Sequence, residues 1–267
     1  MNPLTGVLGE AWTLYKRYAK HFLTISFAIY FAIAIVTLIL SLALGTFGGL
    51  LGSLLTLFGM FLLQAALVKA VQDVQDGRVD LDLRRTIDAA MPFVGTVAIA
   101  SILASIGIAI GFVLIIVPGL ILLTFWSLIV PEIVIGGSGA IDSFSRSWRT
   151  VRGYAWNVFG TYIVVFLILI VGEFIISLIL AALPYALRGF FADIIVGTLV
   201  APFIATVVTL VYFRLTAAHG QPGQPGTPPA GGYGQYGGGY PTADGGFGAP
   251  PAGGYGPPPG GGWGGNG

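Results

Sequence analysis

The chain has 267 residues, only 9% of them charged against 55% apolar, with a mean hydropathy of +0.89 and a formal net charge of +1. A soluble domain carries about 25% charged residues, so this composition excludes an ordinary soluble surface, makes lipid the expected solvent and implies no bulk acidic or basic partner. With no cysteine there are no disulfides, thiolate metal sites or thiol nucleophiles, and two histidines, His21 and His219, give a metal site or a Ser/His/Asp triad little to build on.

The opening stretch, NPLTGVLGEAWTLYKRYAKHF, reads as an amphipathic helix. Asn2 suits a cap and Pro3 a first turn. Leu4, Val7, Leu8, Ala11, Leu14, Tyr15 and Tyr18 share one face, and Lys16, Arg17 and Lys20 lie on the other. Six apolar segments follow, at 22–44, 48–70, 93–116, 119–135, 156–182 and 190–215. Most reach the ~20 residues that a helix needs to cross the hydrocarbon core. The first is longer than the apolar run of a signal peptide and is preceded by about twenty residues, so it reads as a retained span. The fourth is the shortest. It is bounded by the turn signal Pro118-Gly119 and carries Pro131, and a re-entrant hairpin of segments three and four is the alternative to full crossing.

Between segments two and three lies QDVQDGRVDLDL, with Asp73, Asp76, Asp80 and Asp82. Its spacing does not match a calcium-binding loop, so it reads as a solvated loop. At 79–91 a weaker amphipathic pattern sets Leu83, Ile87 and Ala90 against Arg84, Arg85 and Asp88. Between segments four and five, SGAIDSFSRSWRTVRGYAW places Ile141, Phe144, Trp148 and Val151 on one helical face and Asp142, Arg146 and Arg149 on the other. Arg152 lies at the boundary, and Asp142 and Arg146 have the spacing of an ion pair. This is the pattern of a helix lying in the membrane interface, its basic side toward headgroups. A nucleic-acid reading fails because its aromatics share the apolar face.

Eleven of the twelve Lys and Arg residues fall on one side if the segments cross six times, with Arg188 the exception. That bias places both termini in the cytoplasm of a plasma-membrane protein. The expected fold is therefore an all-α membrane protein. Six transmembrane helices form three hairpins in loose repeats at 1–70, 79–135 and 138–215, each preceded by a cytoplasmic interfacial amphipathic helix. The outer turns at 45–52 and 116–119 hold no charge. Small residues four apart, such as Gly48/Gly52, Ala100/Ala104 and Gly107/Gly111, suit close packing of helices within the chain. The membrane domain spans 1–216. Beyond it, 217–267 reads as a disordered Gly/Pro/Tyr-rich tail. Its spaced aromatics, from Tyr233 to Trp263, offer contacts for a protein partner, and its only charged residue is Asp244, which disfavours nucleic acid.

Two carboxylates, Glu132 and Glu173, form the candidate intramembrane polar site. A relay through them needs a connected polar path, and Gln64, Ser101 and Ser105 are sparse stepping stones. Arg188, with Asp193 nearby, is the expected structural partner of Glu173. The candidate lipid-headgroup contacts are Lys16, Arg17, Lys20, Arg84, Arg85, Arg146, Arg149 and Arg152. No nucleophile–base pair, phosphate loop or ligand cluster is visible, so no enzyme, metal or cofactor is expected.

The segment VPGLILLTFWSLIVPEIVIGGSGAIDSFSRSWRTVRGYAWNVFG, at 117–160, resembles the multi-span membrane domain found ahead of some bacterial glycerophosphodiester phosphodiesterases, and related stand-alone membrane proteins of unknown function. Pro118, Gly119, Trp126, Pro131, Ser145, Ser147, Trp148, Arg149, Arg152 and Gly153 carry the resemblance. It implies a six-span membrane domain without assigned role. In fused members the chemistry belongs to a separate soluble domain, so no catalytic residue is carried over. The expected function is non-catalytic organisation of lipid or a protein partner. The alternative is a transporter or lipid-handling protein with a path between the hairpins.

Overall fold

The computed structural model describes residues 2–181 and 185–220, apart from the side chains of 185–193 and 196. The chain divides into two units, Met1–Gly234 and Gln235–Gly267. The second unit, and with it nearly all of the expected tail, lies outside the described residues. Among the described residues the secondary structure is helical, with no strand.

The first helix, α1 (Val7–Arg17), buries Val7, Ala11 and Tyr15, the apolar face seen in the sequence. That face packs chiefly on the protein. The Tyr15 hydroxyl donates to the Leu199 carbonyl at 3.1 Å, and Trp12 and Tyr15 both meet Phe203 edge-on. Burial holds the Tyr15 phenol above its ordinary pKa, because the phenolate would lose its water. Asn2 caps only a local turn, accepting from the Leu4 N–H, whereas Gly6 precedes α1 with φ 76°.

A single helical element, α2 (Ala19–Asp73), covers the first two apolar segments. A straight helix of that length would extend about 80 Å, far beyond the ~30 Å hydrocarbon core. It does not run straight, because Gly45 has φ 55° and ψ −131°, a conformation only glycine adopts readily. Beyond that residue the chain doubles back, so that Gly52 lies against Thr37 and Gly59 against Ile33. The expected turn at 45–52 thus shrinks to one residue. Gly48, Gly49 and Gly52 are helical, and Gly48 lets the second arm touch the Leu40 backbone.

A short 3-10 turn (Val74–Asp76) leads to the acidic loop, whose carboxylates hold backbone. Asp73 Oδ2 accepts from the Asp80 and Leu81 N–H groups, and Asp82 Oδ1 caps the next helix by accepting from Arg85 N at 2.8 Å. That helix, α3 (Leu83–Leu114), runs unbroken through Pro92. The separate interfacial helix expected at 79–91 is therefore corrected: Leu83 to Met91 form the first turns of α3.

The chain reverses at Ile115, which is extended, and α4 (Ile116–Phe125) begins at once. The expected turn at 116–119 lies inside α4. Pro118 is tolerated there because the first turn of a helix leaves its N–H groups unbonded. Gly119 approaches Gly111, and Gly107 receives the Trp126 ring. After a break at residues 126–128 comes α5 (Ile129–Val134). Next are α6 (Ala140–Val151), α7 (Ala155–Leu180) and α8 (Tyr185–Ala218). Gly197 of α8 packs against the Tyr30 ring of α2.

Among the described residues, five helical stretches are long and apolar enough to cross a membrane: Ala19–Asp76, Leu83–Leu114, Ile116–Val134, Ala155–Leu180 and Gly197–Ala218. Their outward surface is apolar, with Leu42 80%, Val113 86% and Ile179 70% exposed. Water would penalise such a surface, whereas acyl chains do not. The chain has the architecture of a helical membrane protein.

Candidate functional site

A buried cluster forms where α5 packs against α6, α2 and α8. Leu67, Leu128, Ile133, Tyr212 and Leu215 are fully buried there, and so is Glu132. An uncompensated buried carboxylate costs several kcal/mol, so its partners matter. Thr150 Oγ1 of α6 donates to Glu132 Oε1 at 2.8 Å. Glu132 Oε2 is buried and accepts no hydrogen bond among the described residues. Arg146 and Arg149 supply a compensating positive potential. Gly136 leaves room beside the carboxylate: a Cβ there would sit 3.0 Å from both Glu132 Oε2 and the Tyr212 hydroxyl. The Glu132 carbonyl is engaged too, accepting from the Ser138 N–H at 3.1 Å and from the Ser138 hydroxyl.

A second hydroxyl of α6 serves the break between α4 and α5. Ser147 Oγ donates to the Phe125 carbonyl at 2.6 Å and accepts from the Leu128 N–H at 3.2 Å. In a membrane, non-helical backbone persists only where protein satisfies its polar groups, and one side chain here satisfies both sides of the break. Around it, Trp148 stacks on Phe125 with centroids 4.0 Å apart and Phe144 meets Trp126 edge-on at 4.9 Å.

This geometry corrects in part the orientation expected for α6. Val151 of the expected apolar face is buried and Phe144 packs against the core, but Ser143, Ser147 and Thr150 are buried too, while Ile141 is 67% and Trp148 38% exposed. Hydroxyls face inward because they meet backbone groups and a carboxylate that apolar side chains would leave unpaired. The Asp142–Arg146 pair is not formed. Arg146 turns inward instead and donates weakly to the Gly136 carbonyl, at 3.4 Å. It is half-buried, whereas Arg149 and Arg152 are exposed. The Arg152 carbonyl lies 3.2 Å from His219 Nε2, tying the end of α6 to the end of α8.

The other basic residues are dispersed over separate elements. Lys16, Arg17 and Lys20 are exposed at the α1–α2 junction, Lys16 lying over the Trp12 ring. Arg84 and Arg85 are exposed at the start of α3, Arg84 beside Asp88 at 3.9 Å. Arg214 of α8 is the structural exception: it pairs with Glu10 and donates to the Thr5 carbonyl at 2.7 Å.

The two carboxylates do not share a site, since Glu132 is buried under α6 and Glu173 is exposed on α7. The expected partners of Glu173, Arg188 and Asp193, have side chains outside those described. Gln64 and Ser105 are exposed and do not extend the buried cluster. Thr150, Ser147, Tyr212 and Gly136 were not singled out from the sequence as site residues. Their signal was the run of hydroxyls Ser143, Ser147 and Thr150 at helical spacing on an otherwise amphipathic segment.

No curated protein and no solved structure matches the chain. One family match covers residues 22–219, from the first apolar segment to the end of α8. It brings no link to the phosphodiesterase-associated membrane domain that 117–160 resembles. The match takes in well over half of the chain, which belongs to the family described as Domain of unknown function (DUF7847).

Proposed function

We propose that this protein is a non-catalytic organiser of lipid in the plasma membrane, crossing six times with both termini in the cytoplasm. Counting each arm of α2 as a crossing gives three antiparallel pairs. The observation that carries the reading is the exposed basic set Lys16, Arg17, Lys20, Arg84, Arg85, Arg149 and Arg152, set among exposed aromatic side chains. Trp12 is 51% and Trp156 83% exposed, the combination expected where protein meets headgroups. Each basic residue near an anionic surface contributes ~1 kcal/mol of attraction. The tail would add contacts to a protein partner, and the resemblance of 117–160 to a membrane domain without chemistry of its own supports the same assignment.

Lipid retention tests the role. In mild detergent, native mass spectrometry should find phosphatidylglycerol enriched over phosphatidylcholine relative to the membrane extract. Equal retention would refute it. The absence of cysteine makes orientation simple to read. Gly49→Cys should react with an impermeant maleimide in intact cells and Gly139→Cys only after permeabilisation. The reverse pattern would invert the topology.

A second reading, transport or lipid handling, is favoured by one observation: the fully buried Glu132 has an oxygen without a hydrogen bond among the described residues. It predicts flux in proteoliposomes that Glu132→Gln abolishes while the protein stays folded. Unchanged flux would remove Glu132 as a coupling group.

A further inference from the structure

A cleft of about 370 Å³ opens where α1 meets α2 and the loop before α3 passes by. Its polar wall is Arg17, Lys20, His21 and Thr24, and its apolar wall is Ile25, Val79 and Leu83. No carboxylate lines it. The nearest acidic group acting on His21 is Asp73, whose Oδ2 is already engaged by two loop N–H groups. The volume falls within the roughly 300–1,000 Å³ of small-ligand sites. Arg17 and Lys20 are exposed and carry no ion pair among the described residues.

Beyond the lining residues of the cleft, α2 carries an exposed apolar track. Lys20, Thr24, Phe27 and Phe31 follow one another at spacings of four, three and four, which puts them on one helical face. Phe27 and Phe31 are 47% and 43% exposed and stack on each other with centroids 5.2 Å apart. From Lys20 to Phe31 the helix rises about 16 Å. A cationic mouth, a hydroxyl and an apolar track thus lie in line, in the order in which a phospholipid presents its phosphate, its ester region and its acyl chain.

We propose that this cleft binds one anionic phospholipid. Its phosphate lies between Arg17 and Lys20, and an acyl chain runs along Phe27 and Phe31. The proposal rests on the lipid-contact reading above and narrows it from a dispersed basic surface to a single site.

The test uses the full chain in mild detergent, titrated with phosphatidylglycerol, phosphatidylcholine and inorganic phosphate, with bound copies counted by native mass spectrometry. One phosphatidylglycerol should bind ahead of the rest. Replacing both basic residues, Arg17→Gln with Lys20→Gln, should weaken that copy by about 30-fold. Arg149→Gln with Arg152→Gln should leave it within about two-fold, since those residues lie outside the cleft. Phe27→Ala with Phe31→Ala should weaken long-chain phosphatidylglycerol and spare the short-chain form. All six residues are exposed, so the variants are expected to fold. An equal loss from both basic pairs would overturn the cleft and leave the dispersed reading standing. No loss from either pair would overturn both. Displacement by inorganic phosphate with no effect of the phenylalanines would make the site one for free phosphate and overturn the lipid assignment.

Discussion

Replacing Thr150 by valine isolates the contact that joins α6 to the buried carboxylate. Valine keeps the shape and removes the hydroxyl that donates to Glu132 Oε1 at 2.8 Å. Because Oε2 accepts no hydrogen bond among the described residues, the variant leaves the carboxylate without a side-chain donor. A hydrogen bond to a charged group contributes about 1.5–3 kcal/mol. Taking ~2 kcal/mol, the population with α6 undocked rises by about 30-fold. Glu132→Gln should behave oppositely. It removes the buried charge and keeps an acceptor for Thr150, so its effect should be neutral or stabilising. Glu132→Leu combined with Thr150→Val removes both partners and should recover most of the loss. The assay is hydrogen exchange of the α6 amides, together with equilibrium unfolding in one detergent. The reasoning is refuted if Thr150→Val costs the same with Glu132 present or replaced, because the two residues would then be uncoupled.

Two further predictions follow from close contacts. Gly48→Ala would drive a Cβ into the Leu40 carbonyl, while Gly49→Ala meets nothing within 4 Å. The first should cost about 1–3 kcal/mol and the second should be neutral or slightly stabilising through helix propensity; equal melting temperatures would refute the α2 fold-back. Arg214→Gln should free the N-terminal turn to proteolysis more than Glu10→Gln does, because only Arg214 also donates to the Pro3 and Thr5 carbonyls. The ion pair itself is partly exposed, so its own share should be below ~1 kcal/mol; equal cleavage rates for the two variants would sink this assignment.

What was legible in the sequence was whatever rests on periodicity and length. The apolar face of α1 and the apolar stretches belong to that class. So does the place where α2 turns, because the glycines cluster there. Hidden from it was which side of an amphipathic helix faces protein. On a wheel, Phe144 and Trp148 look like the membrane face of α6, and Ser143, Ser147 and Thr150 look like neutral filler. Once the fourth apolar stretch breaks at 126–128, those hydroxyls become the inward face, since the break exposes a carbonyl and an N–H that only another element can satisfy. Pairing was hidden for the same reason. Arg146 has a carboxylate one helical turn away, yet its guanidinium goes to a carbonyl ten residues earlier. The merging of 83–91 into α3 was hidden because the pattern changes there from amphipathic to wholly apolar, and the change falls at Pro92. Its missing N–H costs one bond, and the helix continues through it.

The docking of α6 also limits how this protein can act. A basic amphipathic helix beside a membrane invites the idea of an arm that swings out to seize a partner. Here such a motion would expose the Phe125 carbonyl, the Leu128 N–H and the Glu132 carboxylate together. Each lost hydrogen bond leaves a buried group unsatisfied at about 1–3 kcal/mol, more for the charge. It would also separate the stacked Phe125 and Trp148 rings. The combined penalty exceeds what a few exposed basic residues gain at ~1 kcal/mol each from anionic lipid. Any contact made by this part of the molecule therefore uses the face that remains outside while α6 stays docked: Ile141, Asp142, Ser145, the exposed edge of Trp148, Arg149 and Arg152. Within α6 that set is narrower than the sequence alone suggests, because Arg146 is already engaged by the protein.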